Sequence, residues 1–136
     1  MYNLLVSHMF EDWDRESFQF SKSRFLEYTS EDIREQLRPL STEAIECIRS
    51  WPCVIMEEGR GEEQVYIARI LEFRDSGADI ALKIDVCTTK APILNDHLWR
   101  ARNALDIEQF EFSRNHWAIK ECDLFAGLHS GGHEID

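Results

Sequence analysis

The sequence predicts an α+β domain: an N-terminal helical hairpin, a central antiparallel β-meander forming a small curled sheet or partial barrel, and C-terminal helices. Three observations lead there. Two apolar stripes of helical spacing, each behind a serine and each stopped by a proline, lie between Ser30 and Pro52. A period of two runs from Val65 to Val86, and helical spacing returns after Pro92. Residues 1–128 read as one domain, with 129–136 as a flexible tail behind Gly131-Gly132.

Each element has its own signal. Residues 2–7 read as a short opening strand. His8 to Glu16 fits a loop or an irregular helical turn, and Phe18 and Phe20 alternate as a second extended piece. Ser30 is placed to cap a helix over 31–38, with Glu31 and Asp32 in its first turn and Ile33 and Leu37 on one edge. Pro39 prevents its continuation. Ser41 is placed to cap a second helix over 42–50, with Ala44, Ile45 and Ile48 inward, and Pro52 ends it. Cys53 to Met56 is a short apolar run before the charged loop of residues 57–63. Asp75-Ser76-Gly77-Ala78 supplies turn chemistry before the alternation of Ile80, Leu82, Ile84 and Val86. Asn95 is a cap candidate for a helix over 95–104. Asp106 to Phe112 fits either a helical turn or a strand, and Ala118 to Leu128 has helical spacing.

Composition narrows the function. Of 136 residues, 43% are apolar, with eight Phe, four Trp and three Tyr, so enough surface can be buried to offset chain entropy. Fifteen basic against 26 acidic residues leave a formal charge of −11, which repels phosphate backbones and anionic membranes; nucleic acid is not an expected partner. No apolar run reaches the ~20 residues of a membrane helix. Met1 to Phe10 lacks a basic start and a small-residue cleavage site, and the four cysteines are widely spaced. The expected location is the cytoplasm.

Catalytic signatures are thin. Gly59-Arg60-Gly61 lacks the spacing of a phosphate loop, and Glu57, Glu58, Glu62 and Glu63 around it repel phosphate; it reads as a solvated loop. Cys122, His129 and His133 are the one metal candidate and lack a Cys-x-x-Cys anchor, so neither metal nor cofactor is expected. No glycine pattern of a nucleophile elbow surrounds a serine.

The densest polar-aromatic segment runs from Phe110 to Lys120. Arg114, His116 and Lys120, with Trp117, are the candidate ligand-binding residues, three cationic donors within seven positions. If 116–120 is helical, His116 and Lys120 share a face and suit a carboxylate or phosphate. The structural alternative has His116 and Trp117 fixing the packing of the last helix while Arg114 pairs with an acid such as Glu111.

Two segments carry a resemblance. Ser23-Arg24-Phe25-Leu26-Glu27-Tyr28-Thr29, followed by a helix pair and Trp51-Pro52, and the close R-x-H-W-A-x-K-x-x-D-L from Arg114 to Leu124, together resemble an uncharacterised bacterial domain. That domain occurs in multi-domain proteins of conflict and anti-phage defence, and the likeness spans roughly 16–128. It marks Arg24, Glu27, Tyr28, Arg114, His116, Trp117, Lys120 and Asp123 as motif positions. Their implied joint role is to stitch the N-terminal segment to the C-terminal one.

The expectation is a non-enzymatic recognition module for a protein partner or a small anionic ligand. Two rivals stand beside it. One is a metal-dependent hydrolase or nuclease using His116 with Glu111 or Asp123. The other is a structural adaptor that drives homo-oligomer assembly.

Overall fold

A computed structural model of the chain describes residues 1–7, 17–87 and 92–130. The loop or turn expected over His8 to Glu16, and the tail beyond Ser130 with His133, lie outside the described residues.

The elements in chain order are β1 (Tyr2–Val6), β2 (Ser17–Ser21), a 3-10 helix (Lys22–Arg24), α1 (Glu31–Leu37), α2 (Thr42–Ser50), β3 (Cys53–Met56), β4 (Gln64–Ser76) and β5 (Asp79–Cys87). Then follow β6 (Ile93–Leu94), α3 (Asn95–Arg100), a second 3-10 helix (Gln109–Ser113), β7 (His116–Lys120) and α4 (Leu124–Ser130). One curled mixed sheet dominates, in the order β2-β5-β4-β3-β1-β7, with β6 pairing β4 off this path.

This overturns the expected N-terminal helical hairpin and self-contained antiparallel meander. The chain opens with a strand, and that strand is central. β1 runs parallel to β3 from Asn3↔Cys53 to Val6↔Met56, and antiparallel to β7 from Tyr2↔Lys120 to Val6↔His116. A parallel neighbour requires a long crossover, and α1 and α2 lie within the one joining β1 to β3. The antiparallel strands β3, β4 and β5 are therefore part of a larger mixed sheet.

Both faces of the central strands are covered. Leu5, Ile55, Ile70, Trp117 and Ile119 pack with Ile33, Leu37, Ala44 and Ile48 of the first helix pair. Leu4, Val6, Val54, Met56, Ile67 and Ala118 pack with Leu98, Phe112, Leu124 and Leu128 on the other side. Strands buried on both faces read as continuous apolar runs and lose the alternating signal. Hence β7, expected as part of a helix from Ala118, is a strand, and the last helix begins at Leu124.

Local chemistry fixes the joints. Ser41 Oγ accepts from Ala44 N at 3.1 Å, while Ser30 makes no side-chain cap bond. Asn95 does not cap α3; it is the first helical residue, and its buried amide is used elsewhere. The segment from Asp106 to Phe112 ends in the second 3-10 helix. No described helix is long and apolar enough to cross a membrane.

Candidate functional site

β7 carries three of the four candidate ligand-binding residues, and its pleat separates them. Successive strand residues point to opposite faces. Trp117 therefore enters the core beneath α1 and α2, while His116 and Lys120 enter the opposite one. Arg114, just before the strand, is exposed and joins neither. A helical His116–Lys120 face does not exist.

His116 and Lys120 are brought together by Glu111 of the second 3-10 helix. His116 Nε2 lies 3.1 Å from Glu111 Oε1, and Lys120 Nζ donates to Oε1 at 2.8 Å and to Oε2 at 2.9 Å. The backbone N–H of Glu108 donates to Oε2 at 2.6 Å. Relative exposure is 0% for Glu111 and His116 and 3% for Lys120. His116 Nδ1 meets the Arg114 carbonyl at 2.7 Å, and a carbonyl only accepts, so Nδ1 carries a proton. Its other nitrogen, Nε2, faces the Glu111 carboxylate. The expected solvent-reachable cationic surface is thus replaced by a closed ion cluster. Arg114 does not pair with Glu111.

Burial pushes the Glu111 carboxyl up, but the His116 hydrogen bond, the Lys120 charge and the bonds from Lys120 and Glu108 outweigh it. The net effect holds the group below its ordinary range. A depressed folded value stabilises the fold above the unfolded carboxyl value, about 4.3, and that contribution disappears as pH falls through the folded value. Urea midpoints of the protein and of Glu111→Gln should therefore differ widely at neutral pH and converge as the pH falls below the ordinary carboxyl range. A gap independent of pH contradicts an ionised Glu111.

A strap of residues 25–29 closes the cluster from outside β7. Phe25 bridges Trp117 in parallel, and Leu26 N donates to Trp117 O at 2.7 Å. Thr29 Oγ1 accepts from Ile119 N at 3.0 Å, and Lys120 Nζ donates to Tyr28 O at 3.3 Å. Tyr28 sets its ring edgewise to His116 at 4.9 Å and to Phe110 at 4.8 Å. Leu26 and Tyr28 adopt φ of 68° and 55°, a left-handed conformation costly for side chains of this size. The strap holds that conformation through its bonds to β7.

The remaining motif positions are local. Arg24 pairs with Glu27 at 3.4 Å on the surface, an arrangement of small energetic value. Asp123 Oδ1 accepts from Phe125 N and Ala126 N at 3.0 and 3.1 Å, capping α4.

Sequence reasoning missed Asn3 and Thr29. Asn3 is fully buried: its Oδ1 accepts from Trp117 Nε1 at 3.0 Å, and its Nδ2 donates to Ile48 O and Trp51 O at 3.1 and 3.3 Å. One amide thereby joins β1, β7 and the end of α2. A lone asparagine inside the apolar run Tyr2–Val6 was the available signal.

Burial pushes the Cys53 thiol far up, and burial with the nearby Asp106 charge raises that of Cys122, opposite to the activation a nucleophile needs. Among the described residues no group of three or more His, Cys, Asp or Glu side chains is placed to hold a metal ion. Comparison with protein-family models, curated proteins and solved structures returns no match.

Proposed function

We propose that this domain is a non-catalytic recognition module that engages a protein partner or a small anionic ligand. One observation carries the reading: His116 and Lys120, the candidate site residues that the fold brings together, are sealed from solvent with Glu111 and satisfied internally. A general acid or base must come within hydrogen-bond reach of the proton it transfers. Here the strap, the second 3-10 helix and β7 enclose both imidazole nitrogens. The cluster serves to fasten the carboxyl-terminal strand to the segment after β2, leaving recognition to the exterior. The setting we propose, bacterial defence, draws on the likeness of the Ser23–Thr29 and Arg114–Leu124 segments.

Nucleotides, single-stranded DNA and RNA incubated with Mg²⁺ or Mn²⁺ test this reading. The protein and His116→Ala are expected to give the same background without turnover. Metal-dependent turnover abolished by His116→Ala would replace recognition with the hydrolase or nuclease reading.

A further inference from the structure

The loop of residues 57–63, between β3 and β4, is acidic yet tightly held. Asn95 Nδ2 donates to Glu57 O at 2.7 Å and to Gly59 O at 2.9 Å. Asn95 N donates to Glu63 O and Asp96 N to Gly61 O, each at 2.9 Å, while Gly59 N reaches Phe112 O at 2.8 Å. The Glu63 carboxylate folds back onto Gly61 N at 3.2 Å. Gly59 sits at φ 135°, where a side chain is rarely tolerated. The backbone around Arg60 is thus fixed from α3 and from the second 3-10 helix.

Arg60 and Arg102 converge on one ring. Each guanidinium carbon lies 4.2 Å from the centre of Trp99, so the two are no more than twice that distance apart. Trp99 is itself braced edgewise by Phe112 at 5.1 Å, and Arg102 Nη1 donates to Trp99 O at 2.7 Å. Among the described residues neither guanidinium has a carboxylate partner, although Asp96 nearby pairs with Arg100 at 3.3 Å. Stacking on the indole occupies the guanidinium faces and leaves N–H edges for an acceptor.

We propose that Arg60 and Arg102, held on Trp99, form a docking site for two carboxylates of an acidic protein partner. It rests on the recognition reading only in supposing that a partner exists, and it uses none of the β7 residues. Three arguments favour this occupant. Arginine and tryptophan dominate binding energy at protein interfaces, and side chains already immobilised lose less entropy on binding. Acidic side chains four residues apart on a helix, with Cβ atoms about 5–6 Å apart, fall within the limit of twice 4.2 Å that the shared ring sets on the pair. Finally, Glu57, Glu58, Glu62, Glu63 and Asp96 outnumber Arg60, Arg100 and Arg102 in these two segments. A polyphosphate, with several charges on adjacent groups, suffers more repulsion there than two separate carboxylates, each paired bidentately.

The test uses the full chain and two capped helical peptides, one with two aspartates four residues apart and one with asparagines in their place. Arginine Nε–H and indole N–H resonances report binding. The aspartate peptide is expected to shift the signals of Arg60, Arg102 and Trp99 ahead of those of the exposed Arg74 and Arg114. It should bind at least about ten-fold tighter than the asparagine peptide, and Arg60→Gln with Arg102→Gln should remove the difference. If the double variant does not fold, Arg60→Gln alone at its exposed position should still weaken binding several-fold. Equal shifts at all exposed arginines, no shift, or tighter occupancy by pyrophosphate than by the peptide overturns the proposal. None of these outcomes bears on turnover, which tests the non-catalytic reading separately.

Discussion

Replacing Lys120 with methionine is expected to lower the unfolding free energy by about 3–5 kcal/mol, the usual cost of breaking a buried ion pair from one side. The effect comes less from the lost attraction than from what remains. Glu111 is fully buried, and Lys120 contacts both of its oxygens. Without the ammonium the carboxylate keeps only His116 and one backbone N–H. The Tyr28 carbonyl also loses its donor, loosening a strap whose Leu26 and Tyr28 already hold left-handed backbone. With a total stability of about 5–15 kcal/mol typical of small domains, the variant should unfold at markedly lower urea concentration. A loss below about 1 kcal/mol would place the pair among solvated surface contacts.

Trp117→Ala is expected to be comparably severe, about 3–5 kcal/mol for a large aromatic removed from a packed core. Trp117 is fully buried and meets Phe25 at 4.8 Å, Phe20 at 5.8 Å and Phe73 at 5.9 Å. Its indole N–H is the donor to Asn3 Oδ1, so truncation leaves a buried amide oxygen unmet as well as a cavity. Trp117→Phe separates the two causes. It retains most of the ring and should cost about 1–3 kcal/mol, the price of an unsatisfied buried acceptor. Denaturant unfolding of both variants checks the order. Equal losses would mean that the hydrogen bond contributes nothing beyond packing.

How much of this was legible in the sequence depends on which signal each residue could carry. The Ser41 cap, both proline stops and the alternation from Ile80 to Val86 are local, and they appear in the structure as read. β7 was misread because His-Trp-Ala-Ile-Lys is buried on both faces, and a short apolar run has no periodicity to separate strand from helix. The central place of β1 depends on a parallel pairing with β3, some fifty residues away in the chain, which no window can see. The close spacing of the cationic Arg114, His116 and Lys120 suggested an open site. Their fates diverge because the pleat and the 3-10 helix, neither visible in composition, bury two and expose one. Glu111 was considered as a partner for Arg114 and, in the hydrolase or nuclease reading, for His116; the geometry assigns it to His116 and Lys120. The Trp99 pair escaped notice since Arg60 and Arg102 are remote in sequence and meet only through the anchored loop.

A double-mutant cycle across Glu111→Gln and Lys120→Met, read by urea unfolding at neutral pH, addresses the closed cluster most directly. Removing both partners should cost little more than removing either, giving a coupling of about 2 kcal/mol or more. Losses that add to within about 0.5 kcal/mol would mean that the two side chains do not meet in solution, and would return His116 and Lys120 to the exterior as ligand contacts.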